Sequence, residues 1–108
     1  MRVTLAVPTP ADILSRYYPN GKLGGLTIDG PAPSSVGLLV ELCVQVEHPP
    51  NEFTLTGQLA WARHRGSRNL KESFGVDFLP RDDGGQRLLA FARRDLDHPD
   101  VRFFFEQK

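Results

Sequence analysis

The chain has 108 residues, with 13 lysines and arginines against 13 aspartates and glutamates, a single cysteine and 40% hydrophobic residues. That length suits one domain with its own core and leaves no room for a second. The balanced charge gives no global pull toward nucleic acid or an anionic membrane, so any anion site must be local, and one cysteine excludes an internal disulfide.

Residues 2–7 alternate, with Val3, Leu5 and Val7 on one side, the period-two pattern of a half-buried strand, and Pro8 ends it. Thr9 then reads as a helix N-cap, with Pro10 in the first helical position and Asp12 three residues after the cap. The helix is expected to be short. Ile13, Leu14, Tyr17 and Tyr18 supply its apolar stripe, and Pro19-Asn20-Gly21 stops it.

Residues 23–28 read as a second strand, ended by the turn-rich residues 29–37. Residues 38–47 and 52–63 both alternate and are separated by His48-Pro49-Pro50-Asn51, which makes a hairpin the economical connection. Cys43 lies in the first of these runs, where a small buried hydrophobe is expected. In the second, Phe53, Leu55, Gly57, Leu59 and Trp61 share a face, so Trp61 is expected to point inward. The polar, cationic loop 64–72 leads to a strand over 73–79, with Phe74, Val76 and Phe78 on one side.

Asp82 or Asp83 can cap a final helix carrying Leu88, Leu89, Ala90, Phe91 and Ala92, with Arg93 and Arg94 suited to its negative end and Gly84 and Gly85 weakening its first turn. Strands separated by Gly and Pro turns, with one closing helix, predict a mainly β fold. The expected architecture is a small antiparallel β-barrel over residues 1–80 with a short N-terminal helix, a C-terminal helix over 82–94 and a tail over 95–108. The amino terminus shows no basic stretch leading into an apolar core and cleavage site, and no apolar run reaches spanning length, so a cytoplasmic protein is expected.

Asn20-Gly21-Lys22-Leu23-Gly24-Gly25 sets a glycine-rich turn against the start of an apolar strand, where the backbone can approach a bound anion closely. Gly37, the strands at 38–46 and 53–61, and Phe74-Gly75-Val76-Asp77-Phe78 before an amphipathic helix complete an order of features. That order resembles the PilZ domain of bacterial cyclic-di-GMP signalling, from about Tyr17 to Arg94. In that family an Arg-x-x-x-Arg element and a later Asp/Asn-x-Ser-x-x-Gly element clasp the nucleotide. Here Asn20, Lys22 and Gly25 stand at the second element, with Lys22 in place of serine. The first element is missing, since only Arg2 and Arg16 precede Asn20 and neither has an arginine four residues on.

The N-terminal strand, the Tyr17-Tyr18-Pro19 helix end and the Lys22-Leu23-Gly24-Gly25-Leu26 turn look most like the stand-alone type IV pilus branch, which also lacks the arginine pair. The resemblance therefore implies a noncatalytic adaptor that binds a protein of pilus biogenesis or surface motility, with no cofactor and little or no affinity for cyclic-di-GMP. The alternative it leaves open is a true cyclic-di-GMP receptor using Lys22 with Arg16 or Arg63.

Candidate partner contacts are Tyr17 and Tyr18 beside the turn, Arg63, Arg65 and Arg68 in the densest cationic stretch, and the adjacent aromatics Phe103, Phe104 and Phe105. Three consecutive aromatics cannot all face inward, so the last group fits a tail that covers the barrel mouth or another molecule, including a second copy of the chain. Trp61 beside that cationic stretch also admits an RNA-binding small barrel, against which the neutral overall charge argues. His48, His64 and His98 follow no metal-ligand spacing, and the chain offers no nucleophile elbow and no carboxylate pair placed for catalysis.

Overall fold

A computed structural model describes residues 1–19, 23–63, 72–80 and 83–96. Eight elements follow one another: β1 (Arg2–Val7), α1 (Pro10–Arg16), β2 (Tyr17–Tyr18), β3 (Gly25–Asp29), β4 (Leu39–Val46), β5 (Asn51–Arg63), β6 (Ser73–Phe78) and α2 (Gly84–Leu96). The strands form one curled, six-stranded half-barrel sheet in the order β1-β4-β5-β6-β3-β2.

Period-two alternation decides what each strand buries. Val3, Leu5 and Val7 of β1, Val40, Leu42, Val44 and Val46 of β4, Leu55 and Leu59 of β5, and Phe74, Val76 and Phe78 of β6 line one face. The helices close over that face, Ile13 from α1 and Leu88, Leu89 and Ala92 from α2 joining the same core. Phe91 of α2 packs against Phe53 of β5 with ring centroids 5.0 Å apart. Gly85 belongs to this packing, because a Cβ there would stand 2.6 Å from the Phe78 ring, so the glycine that weakens the helix start is what lets α2 approach β6.

Three expectations are corrected. The sheet is mixed rather than antiparallel, since β1 pairs parallel to β4, Val3 opposite Leu42 and Leu5 opposite Val44. Parallel partners need a long crossover, and the chain from α1 through β3 provides it. The described strands also do not close on one another: pairing runs from β1 to β2, and the helices, rather than a closed ring of strands, cover the concave face. Tyr17 and Tyr18, expected on the helix stripe, instead leave α1 as β2 and pair with Leu26 and Gly25.

The N-cap expectation is met in detail. The Asp12 carboxylate accepts hydrogen bonds from both the Thr9 backbone N–H, at 3.1 Å, and the Thr9 hydroxyl, at 2.9 Å. Two groups at the helix start are thereby held by one side chain near the positive end of the helix dipole. At the other helix, Arg87 N–H donates to the Asp83 carbonyl, which puts Asp83 at the capping position.

Candidate functional site

The two tyrosines of β2 are adjacent in sequence and so fall on opposite faces of the sheet. Tyr17, opposite the buried Leu26, lies on the core side, where it stacks on Phe78 at 6.4 Å and donates its hydroxyl to the Leu23 carbonyl. Tyr18, opposite Gly25, lies on the outer face. Its hydroxyl donates to Asp77 Oδ1 at 2.6 Å, and its ring sits 6.0 Å from that of Trp61 at a tilt of 59°.

Trp61 reaches that face through a bulge. Leu59 is opposite Val76, yet Trp61 is opposite Gly75, so Ala60 is an extra residue in β5. The insertion shifts the alternation by one. Trp61 is thereby turned outward, against the inward expectation, and Ala62 takes the core-facing place opposite Phe74.

Two glycines make room for the aromatic pair. A Cβ at Gly75 would collide with the Trp61 indole, and one at Gly25 with the Tyr18 phenol and the Val76 carbonyl. Gly24, with a φ of 76°, holds a backbone conformation that other residues rarely adopt, and it lies tight against the Tyr17 ring. Burial, reinforced by the hydrogen bond to Asp77 and its negative charge, pushes the Tyr18 phenol well above the ordinary tyrosine range.

Around this centre the outer face is mixed in character. Gln58 lies between Leu39 and Asp77 across the strands, and its amide donates to the Gly37 carbonyl at 2.9 Å. Leu39 is exposed there, next to the exposed Val36 and Leu38 of the preceding turn. Toward the other end of β6, Arg63 and Asp29 flank Ser73 from opposite sides. The Ser73 hydroxyl is buried and has no hydrogen-bond partner among the described residues.

Arg16, a sequence candidate for phosphate, is directed at the protein itself. Its guanidinium donates to the Thr27 carbonyl at 3.3 Å and meets Asp29 Oδ2 at 3.4 Å, which ties the end of α1 to β3. Tyr17 also lines a cleft of about 280 Å³ between the β2–β3 connection and α2, with Leu23, Gln86, Leu89, Ala90 and Arg93.

The structure thus brings Tyr18 and Gly25 into contact, sets Tyr17 on the other face, and leaves Arg63 exposed on the same side as Trp61. Asn20, Lys22, Arg65, Arg68, Phe103, Phe104 and Phe105 lie outside the described residues. Sequence reasoning did not select Asp77, Gly75 or an outward Trp61. A signal for one of them was present, because Gly75 occupies a solvent-side position within Phe74-Gly75-Val76-Asp77-Phe78, where a glycine marks close approach by another group.

No family model matches the chain, and no curated protein matches it. Among the described residues, no helix is long and apolar enough to cross a membrane.

Proposed function

We propose that this chain is a noncatalytic PilZ-like domain that works in the bacterial cytoplasm as a protein-interaction adaptor of type IV pilus biogenesis or surface motility. Cyclic-di-GMP binds to it weakly or not at all. The observation that carries this reading is the position of Tyr18. In the pattern the chain resembles, the element ending at Gly25 is the one that faces the nucleotide. Here the space above Gly25 is filled by the Tyr18 ring, anchored through its hydroxyl to Asp77.

Charge supports the same conclusion. A cyclic dinucleotide carries two phosphates, and selective grip on them relies on forked guanidinium groups. Arg16 is paired with Asp29 instead. Among the described residues the outer face offers a half-buried tyrosine and tryptophan with exposed leucines and the exposed Arg63 nearby, a composition that suits a protein-binding surface.

Calorimetric titration tests the nucleotide half of the reading. No binding heat is expected with cyclic-di-GMP up to about 100 μM, an affinity weaker than roughly 5–6 kcal/mol. Micromolar affinity would replace the adaptor reading with the receptor one. The adaptor half is tested by binding to purified pilus-assembly and motility proteins, with Trp61→Ala and Arg63→Glu compared with the parent. Loss of a specific complex in both variants is expected, and complexes indifferent to both would remove the outer face from the proposal.

A further inference from the structure

The two ends of the sheet are treated differently. At one end β2 is only two residues long, too short to template another strand. At the other, β1 runs for six residues, and no described strand pairs with its far side. Within Arg2-Val3-Thr4-Leu5-Ala6-Val7 there is no proline, no glycine and no inward charge, its register with β4 is unbroken, and no described helix or strand covers its free side.

The backbone phase of that edge follows from its bonds to β4. The carbonyls of Met1 and Val7 accept from the N–H groups of Glu41 and Glu47 at 2.9 and 3.1 Å. Odd-numbered residues therefore turn their backbone groups toward β4, and Arg2, Thr4 and Ala6 turn theirs away from the sheet. All three are exposed, whereas Val3, Leu5 and Val7 between them are buried.

We propose that β1 is a homodimerisation edge, on which a second copy of this chain adds its own β1 antiparallel about a two-fold axis at Thr4. The self-complementary register selects this occupant. Thr4 faces Thr4 of the second copy, Arg2 faces Ala6, and each of these pairs exchanges two backbone hydrogen bonds, about six in all. On the core side Val3 comes opposite Leu5 of the second copy, so the apolar face continues unbroken across the junction. On the outer side the facing residues are small or hydroxylated, and the two Arg2 side chains stand roughly 13 Å apart along the strands. Each Arg2 also keeps its own counter-charge, Glu41 Oε1 at 3.3 Å. No like charges meet in this arrangement, which is the condition for strand pairs that favour association.

Sedimentation equilibrium from about 10 μM to about 1 mM covers the affinities expected of a short strand pair. The parent chain is expected to form a dimer over that range. Thr4→Lys and Thr4→Glu each place like charges face to face at the two-fold axis, and each is expected to weaken the dimer about fivefold. Because position 4 meets position 4 only in this register, an equimolar mixture of the two variants is expected to recover a heterodimer. Amide exchange gives a reading on the parent alone, with the Thr4 and Ala6 amides slowing as concentration rises. A parent that stays monomeric at about 1 mM, a dimer indifferent to both substitutions, or variants that fail to pair with each other would each overturn the proposal. So would a monomer that takes only a foreign extended peptide on this edge.

Discussion

Trp61 and Gly75 face each other across β5 and β6, and the indole fills the space that any side chain at position 75 would need. Both halves of that relationship depend on Ala60, the bulge residue that turns Trp61 out of the core. Gly75→Ala is therefore expected to displace the indole and destabilise the domain by about 1–3 kcal/mol, the range for forcing a methyl into a packed site. Trp61 is the sole tryptophan, so its emission reports the displacement directly as a red shift. Adding Trp61→Ala should make the double variant less destabilised than the sum of the single changes. Simple additivity would show that the two positions do not press on each other.

The Tyr18 hydroxyl bonded to Asp77 makes stability depend on alkaline pH. Burial and the Asp77 contact favour the protonated phenol in the folded chain. Its stabilisation is whole below the unfolded tyrosine pKa of about 10 and is lost as pH rises from there through the higher folded value. Tyr18→Phe removes a hydrogen bond to a carboxylate, and with the ring half exposed the expected cost near pH 8 is about 1 kcal/mol. Denaturant titrations at pH 8 and at pH 11 should show the gap between parent and variant narrowing at the higher pH. A gap that stays constant would mean that the Asp77 contact does not favour the neutral phenol.

Asp12 holds the Thr9 backbone N–H and hydroxyl together, and α1 has only seven residues to spread the loss of that anchor. Asp12→Ala should lower stability by about 1 kcal/mol, typical for removal of a capping group. Since α1 also delivers Ile13 to the core and Arg16 to Asp29, amide exchange should accelerate in α1 and β2 before it does in β4 and β5. Uniform acceleration through the sheet would show that the helix start is not a local weak point.

Much of this fold was legible because alternation states which side of a strand is buried. Val3, Leu5 and Val7 show it in β1, and Phe74, Val76 and Phe78 in β6. Alternation does not name the partner strand. Nothing in residues 2–7 says that β1 lies parallel to β4, a contact made across α1, β2 and β3, and the antiparallel expectation failed for that reason. The bulge was hidden by composition: Ala60 and Ala62 flank Trp61 symmetrically, so a shift of one residue leaves the pattern plausible on either face. Tyr17 and Tyr18 fit a helix stripe equally well, because two residues cannot distinguish a period of 3.6 from one of 2. The outer-face centre was therefore only partly readable, through Tyr18 and Gly25 and not through Trp61 or Asp77.

Cys43 gives a probe for the junction between β1 and β4. Leu42 and Val44 point into the core, so Cys43 points to the outer face, yet it is 0% exposed. Its neighbours in register are Thr4 on β1 and Thr54 on β5, and Arg2, whose guanidinium pKa is held above its ordinary value first by Cys43, stands on the same face of β1. A long arginine stem can cover apolar surface while its charged head stays in water, and here that cover depends on β1 staying in place. The native thiol should therefore react with an aromatic disulfide reagent much more slowly than the unfolded chain does. Arg2→Ala should speed that reaction several-fold while the global unfolding free energy changes by less than about 0.5 kcal/mol, as expected for a surface change. The reaction would then report local opening of the β1 edge, which costs less than unfolding the whole sheet. Equal rates in parent and variant would show that the thiol is reached only by global unfolding, and that β1 is held as firmly as the central strands.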